Sequence, residues 1–215
     1  MFFSFDLFLC ESQTTENQEL KQQPCTISTL KITPGMLFGN IADSVYVDDH
    51  FGTVLALYNN IEPSKLKVGM KIKIPNLACM LNKFEASGKS PIYHQMIQLE
   101  KVIQGYRITE PKLISFRREN NYPKEMIPPD SIRKELWDYS VAIDSAISGI
   151  KTAVKKNRYK LPHKMLGQLD QVSRNLKSLS EGHFDGDYFY DTNMVYQNAA
   201  LAIKNGIMWV KSGYN

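Results

Sequence analysis

The 215-residue chain is predicted to be an α+β protein: a small strand-helix-helix-strand unit followed by a mainly α-helical C-terminal region. Three observations predict this. Residues 30–75 open with Leu30-Lys-Ile-Thr and close with Lys71-Ile-Lys-Ile-Pro, short alternating runs that suit strands with one wet face. Residues 132–211 carry three apolar stripes at helical spacing. Between the two regions stands Pro128-Pro129, where a preceding helix must end. An apolar fraction of 43% excludes wholesale disorder, and with 12 Gly and 10 Pro the chain is neither collagen-like nor of low complexity. No stretch reaches the roughly 18 apolar residues of a membrane-spanning helix.

After the first strand, Pro34-Gly35 forces a turn, because Pro fixes φ and Gly tolerates positive φ. The segments 40–47 and 51–58 are each long enough for about two helical turns. In the second of them, Val54, Leu57 and Tyr58 fall on one face. Asn59-Asn60 ends that helix, Pro63-Ser64 turns the chain, and Val68-Gly69 leads into the second strand. Residues 80–128 read as a connector of moderate helix content. Met96, Leu99, Val102 and Ile103 have helical spacing there, whereas Tyr106-Arg-Ile-Thr and Leu113-Ile-Ser-Phe suit strands.

From residue 129 onward the pattern is helical. Asp130-Ser131 provides a helix cap, and Ile132, Leu136, Ile143, Ile147, Ile150 and Val154 form a stripe ending at Asn157. A second stripe, Met165, Leu166, Leu169, Val172, Leu176 and Leu179, stops at Glu181-Gly182. The third runs from Asp191, as its cap, to about Lys211 through Val195, Ala199, Ala202, Ile203 and Met208. Together they predict a three-helix antiparallel bundle over 129–215. Trp137, Tyr139 and Trp209 are expected to pack in it or at its rim rather than cage a ligand.

The run Leu66-Lys-Val-Gly-Met-Lys-Ile-Lys-Ile-Pro resembles the closing signature of the LysM domain, a module that binds peptidoglycan and chitin. Asn59-Asn60-Ile61 precedes it where that family ends its second helix, and residues 34–42 fall where the family opens its first, with Met36 and Leu37 in place of Asp and Thr. The resemblance implies a βααβ LysM-like domain over residues 25–79. It also implies a shallow groove for N-acetylhexosamine chains, with Gly35, Met36, Leu37 and Phe38 on one side and Asn59, Asn60, Ile61 and Glu62 on the other. Backbone amides would satisfy N-acetyl and hydroxyl groups there while apolar walls cover sugar faces. In such a fold the two strands pair antiparallel. With Leu30 opposite Ile74, Cys25 lies opposite Cys79, and a disulfide between them would clamp the domain by roughly 4 kcal/mol. The alternative is two free thiols.

Residues 1–9 are apolar apart from Ser4 and Asp6, end at Cys10, and lead into a polar tether that runs to about residue 24. This arrangement resembles a bacterial lipoprotein, with Leu7 at the usual leucine position, and implies lipidation of Cys10 and a place in the cell envelope, in the periplasm or on the outer surface. A disordered terminus with a free thiol is the other reading. The net charge of +4 is not a nucleic-acid signature by itself, and no nucleic-acid partner is expected. Lys151, Lys155, Lys156, Arg158, Lys160 and Lys164 form a cationic run without an intervening acid. It either complements the negative end of a helix dipole or docks an anionic envelope polymer or lipid.

Enzymatic signals are weak. His50, His94, His163 and His183 lack metal-ligand spacing, and neither H-E-x-x-H nor G-x-S-x-G occurs, so no metal, cofactor or catalytic residue is assigned. Ala86-Ser-Gly-Lys-Ser falls short of a phosphate loop because Lys83 stands at its first glycine position. His183-Phe-Asp-Gly-Asp lacks the closing Glu of a calcium loop. The expected function is therefore binding: peptidoglycan through the N-terminal unit and a protein partner through the helices. A cell-wall hydrolase with its catalytic half at the C-terminus, and an adaptor whose LysM-like unit has lost sugar affinity, are the alternatives.

Overall fold

The structure is a computed structural model and describes residues 27–46, 48–77, 80, 92–184 and 188–214, with the backbone alone at Tyr93 and at 188–192. In chain order these form β1 (Ile27–Lys31), α1 (Phe38–Tyr46), α2 (Phe51–Asn59), a 3₁₀ turn (Pro63–Lys65), β2 (Lys71–Pro75), α3 (Tyr93–Glu119), α4 (Asp130–Asn157), α5 (His163–Glu181) and α6 (Tyr188–Lys211). The protein is α+β and mostly helical, with one two-stranded antiparallel sheet near the start.

β2 alternates as expected: Lys71 and Lys73 are exposed while Ile72 and Ile74 are buried. Its register differs from the expected one. Leu30 pairs with Ile72 rather than Ile74. The shift follows from the turn, where Gly69 at φ +88° donates its N–H to Ile32 O (2.9 Å) and Ile32 donates to Met70 O (2.8 Å), extending the pairing past Lys31. A slip of two residues leaves every side chain on its original face, so the burial pattern could not reveal it. The register that set Cys25 against Cys79 is thereby lost; both cysteines, and Cys10, lie outside the described residues.

Between the strands, α1 buries Phe38, Ile41, Ala42 and Tyr46, and begins two residues earlier than the segment read from the sequence. α2 is buried on more than the one predicted face, because Leu55 and Ala56 are as enclosed as Val54 and Tyr58. The two helices approach closely at Gly52, where an added Cβ would lie 2.8 Å from Phe38 C and Gly39 N. The Tyr46 hydroxyl donates to Pro75 O at 2.7 Å, tying the end of α1 to the end of β2, and burial pushes its pKa well above the usual phenol range.

The largest departure is α3. The segments Tyr106–Thr109 and Leu113–Phe116, which suit strands, lie inside one 27-residue helix. Its buried face repeats as Met96, Leu99, Ile103, Tyr106, Thr109, Leu113 and Arg117, a helical period interrupted by two polar members. Pro111 also stands mid-helix, where it has no N–H to donate to the Arg107 carbonyl. α3 packs on α4 and touches α6, and α4 packs on α5 and α5 on α6, so four long helices rather than three share a core. α4 starts at Asp130, which is its first residue rather than its cap and pairs with Arg133 at 2.8 Å. α6 starts at Tyr188, placing Asp191 inside the helix. α5 ends where expected, with Gly182 left-handed after Glu181. Tyr139 is half-buried at Gly105 of α3, Trp209 is buried, and Trp137 is exposed.

The strand-bearing and helical parts meet in one continuous cluster of buried side chains. Buried Glu100 of α3 accepts a hydrogen bond from Leu77 N (3.2 Å), just after β2, while α2 packs against α6.

Two carboxylates join the long helices. Thr109 and Lys112 of α3 donate to Glu135 of α4, which holds its pKa below the ordinary carboxylate range. Asp144 of α4 accepts from Ser173 (2.7 Å) and Lys177 (2.8 Å) of α5. Partial burial is the largest single influence on Asp144 and acts upward, but the two donors together outweigh it and its pKa is lowered.

Two stability predictions follow from this packing. Gly52→Ala should lower stability by about 1–3 kcal/mol, because the new methyl meets backbone; Gly167→Ala, exposed in α5 with open space around its Cβ position, should raise it by about 0.4–1 kcal/mol. Paired thermal melts measure both. A depressed folded-state pKa gives stability that is complete above the carboxylate range and lost as pH falls through the folded values. Glu135→Gln and Asp144→Asn should therefore flatten the acid side of a stability-against-pH curve from denaturant melts. Both pairs are partly exposed, so each substitution should cost only about 0.5–1 kcal/mol at pH 7.

Candidate functional site

The loop from α2 to β2 is set by how α2 ends. Asn60 adopts the left-handed conformation (φ 55°, ψ 37°), its N–H bonds back to Leu57 O (3.2 Å), and Ile61 N–H reaches Ala56 O (3.1 Å). This is a Schellman ending with Asn in the position where Gly is commonest. Ile61 turns inward against the core. Glu62 then extends the chain to Pro63, and it pairs with Lys65 at 2.9 Å on the exposed side of the 3₁₀ turn.

Asn59 fixes this loop to the sheet. Its carboxamide NH₂ donates to Lys73 O (2.9 Å) and to Leu55 O (3.0 Å), while its oxygen accepts from Lys73 N–H (2.8 Å). The side chain thus treats Lys73 as a neighbouring strand would, from the last residue of α2. Asn59 is therefore spent on the scaffold instead of being presented to a ligand, as the groove assignment required.

The eight residues expected to line one groove are distributed differently. Gly35 and Met36 line a cavity of about 570 Å³ with residues of β1 and α1. Gly35 takes φ +84° in the turn, and Met36 N–H bonds to Thr33 O at 3.3 Å. Leu37 is exposed. Phe38 is buried at 4% exposure because it begins α1 against α2, so it is a core residue and not a groove wall. Asn60, Ile61 and Glu62 line a different cavity, of about 710 Å³, whose other wall is α6.

That second wall was not identified from the sequence. Lys204, Met208 and Lys211 recur at intervals of four and three residues and so share one face of α6. Met208 is grouped with the apolar stripe in the sequence, but five residues after Ile203 it falls on the opposite side of the helix and is 54% exposed, while Ile203, Ile207 and Val210 are buried. A methionine standing off an otherwise buried stripe was the available signal, and only the docking of α2 on α6 gives it meaning. A smaller cavity of about 270 Å³ shares Met208 and Ser212 with the first. It is lined by Lys160, His163, Lys164 and Trp209. The Trp209 indole N–H donates to Lys160 O (2.9 Å), and the Tyr159 and Tyr214 rings stack nearby at 4.2 Å.

All six cations of the run from Lys151 to Lys164 are exposed. Lys155 and Lys156 occupy the last turn of α4, where they complement its dipole, and Arg158 is its left-handed cap.

Between α1 and α2, Asp48, Asp49 and His50 place ligand-type atoms within 4.8 Å of one another. Asp48 is buried and accepts from the His50 backbone N–H (2.8 Å) and ring Nδ1 (2.6 Å). Burial raises the Asp48 pKa above the carboxylate range, and the His50 bonds only partly offset this. These contacts organise the start of α2, since Phe51 N–H and Gly52 N–H bond to the carbonyls of Asp48 and Asp49. The phosphate-loop-like segment 86–90 and the acidic turn at Asp185 and Asp187 lie outside the described residues. No described helix is long and apolar enough to cross a membrane.

Replacing Asn59 with Ala removes three hydrogen bonds and leaves the Lys73 backbone groups to water. The expected cost is about 1–3 kcal/mol, together with faster hydrogen exchange at the Lys73 amide; a melt and an exchange measurement at that amide check both. No protein-family model matches the chain, and comparison with curated proteins and with solved structures likewise gives no match.

Proposed function

We propose that residues 30–75 form a LysM-like glycan-binding module in a cell-envelope protein, and that the helical bundle behind it serves as a scaffold and interaction platform. The observation that carries this reading is the arrangement β1-α1-α2-β2 with the two strands adjacent and antiparallel, closed by the Leu66–Pro75 run. It supports the strand-helix-helix-strand plan on which the resemblance was based. The ligand class is an N-acetylhexosamine polymer of the peptidoglycan type. Its mode of capture is binding without bond cleavage: apolar side chains of α2 and the α2-β2 loop line a cavity of about 710 Å³, within the ordinary range for small-ligand sites.

The reading also includes Cys10 as a lipid tether and the exposed cations from Lys151 to Lys164 as a contact for anionic envelope polymer. Long-range attraction of that kind is screened by salt.

Cosedimentation with purified peptidoglycan sacculi tests the reading on the full chain. The protein should enter the pellet and be released by excess soluble glycan fragments, with no fragments liberated by the protein itself. Complete recovery in the supernatant at low salt would overturn it, and release of soluble muropeptides would replace it with a hydrolase.

A further inference from the structure

We propose that the glycan lies along α6, and that Lys204 and Lys211 select strands bearing a carboxylate on each disaccharide, so that the protein takes peptidoglycan in preference to neutral chitin. The inference rests on the glycan-binding reading above and names the ligand class of that site.

The cavity has two unlike walls. One is α2 with the loop that follows it, where Leu57, Ile61 and Pro63 offer apolar surface. The other is the face of α6 that carries Lys204, Met208 and Lys211. A seven-residue interval along a helix spans about 10 Å, so the two lysines stand on either side of the exposed Met208 along α6 at a backbone spacing close to one disaccharide repeat of a β-1,4-linked chain. An apolar thioether suits the face of a sugar ring or an acetyl methyl. Cations on either side suit acids that recur once per disaccharide. Peptidoglycan carries such acids, on its stem peptide or on the lactyl group where the peptide has been removed, and chitin does not.

The charges at the rim support that polarity. Glu62 is the acid lining this cavity, and Lys65 engages it at 2.9 Å, which tempers its repulsion of an anionic ligand. The path also continues. The smaller cavity shares Met208 and Ser212 with the first and is lined also by Lys160, Lys164 and Trp209, so a polymer extended past Met208 would meet further cations and an aromatic wall. A neutral oligosaccharide gains from the loop and Met208 alone, whereas an acidic strand gains from the whole length.

Calorimetric titration of the full-length protein with three tetrasaccharide probes tests this: chitotetraose, a peptide-free peptidoglycan tetrasaccharide, and the same tetrasaccharide with stem peptides. At low salt at least one acidic probe should bind about tenfold more tightly than chitotetraose, the equivalent of two partly exposed ion pairs of about 0.7 kcal/mol each. The K204E/K211E variant should lose that preference, its affinity for the acidic probes falling to or below its affinity for chitotetraose. Preference for both acidic probes assigns the lactyl group; preference for the peptide-bearing one alone assigns the stem peptide. Lys211 is exposed and Lys204 half-buried, so a thermal melt checks that the variant folds like the parent, and K204M/K211M, which keeps the apolar stems and reverses no charge, should show the same loss. Equal affinity for acidic and neutral probes, or a preference that survives both variants, would overturn the inference while leaving glycan binding intact. Failure of the parent protein to bind any of the three probes would remove both.

Discussion

The N-terminal unit depends on a single carboxamide. Two five-residue strands make too small a sheet to hold its shape alone, and β1 is mostly exposed. Asn59 supplies what a third strand would, a donor and an acceptor to the backbone of Lys73, from the end of a helix whose interior is buried on several sides. Because the same residue closes α2, the bonds that hold β2 also determine where Asn60, Ile61 and Glu62 emerge. The conformation of the loop and the position of the strand are thus one constraint. A side chain of the same length without the amide oxygen or without the amide nitrogen would meet only half of it.

The constraint acts further because the unit is not isolated. α2 is enclosed by α1 on one side and α6 on another, and Glu100 of α3 receives the amide of Leu77 as the chain leaves β2. Buried Glu100 and Thr109 on α3 are exceptions to the rule that cores are apolar, and each is matched by a hydrogen bond to a neighbouring segment. These polar links orient the long helices. The alignment of Lys204, Met208 and Lys211 opposite the α2-β2 loop comes from the packing of α2 on α6, since nothing local to α6 dictates which face α2 will meet.

How much of this was legible in the sequence depended on whether the signal was local. The alternation of Lys71-Ile-Lys-Ile and the stripes of α4 and α5 are period signals, and the structure follows them nearly to the residue. Register is not a period signal. Moving Leu30 from Ile74 to Ile72 changes no side chain's face, and with it went the only positional argument for joining Cys25 to Cys79. α3 was obscured for a different reason: Thr109 and Arg117 occupy apolar positions of its repeat and Pro111 interrupts it, so the fragments between them imitated strands. Arg117 is compatible with the interior because its guanidinium lies 4.2 Å from the centre of the Phe184 ring, a partnership between residues 67 positions apart. The groove assignment suffered most, because the same loop residues can face solvent, a core or another helix, and Phe38 and Asn59 were claimed by the core and the sheet.

The cationic run after α4 illustrates how one set of residues can satisfy two demands. Lys155 and Lys156 stabilise the end of α4 through its dipole, and this needs only their proximity to the last turn. Lys160 and Lys164 lie beyond the helix, where the dipole no longer reaches, and both line the cavity beside Trp209. Their position is secured by backbone bonds: Lys160 donates its N–H to Tyr214 O (3.1 Å) and accepts from the Trp209 indole through its carbonyl. The turn between α4 and α5 is therefore pinned to the C-terminal end of α6 by groups that leave both lysine ammoniums at the surface. A purely structural role for the run would account for its first half. The second half lines the smaller cavity, which shares Met208 and Ser212 with the larger one, and its charge has the same sign as that of Lys204 and Lys211, so positive side chains border both cavities and are not confined to the end of α4.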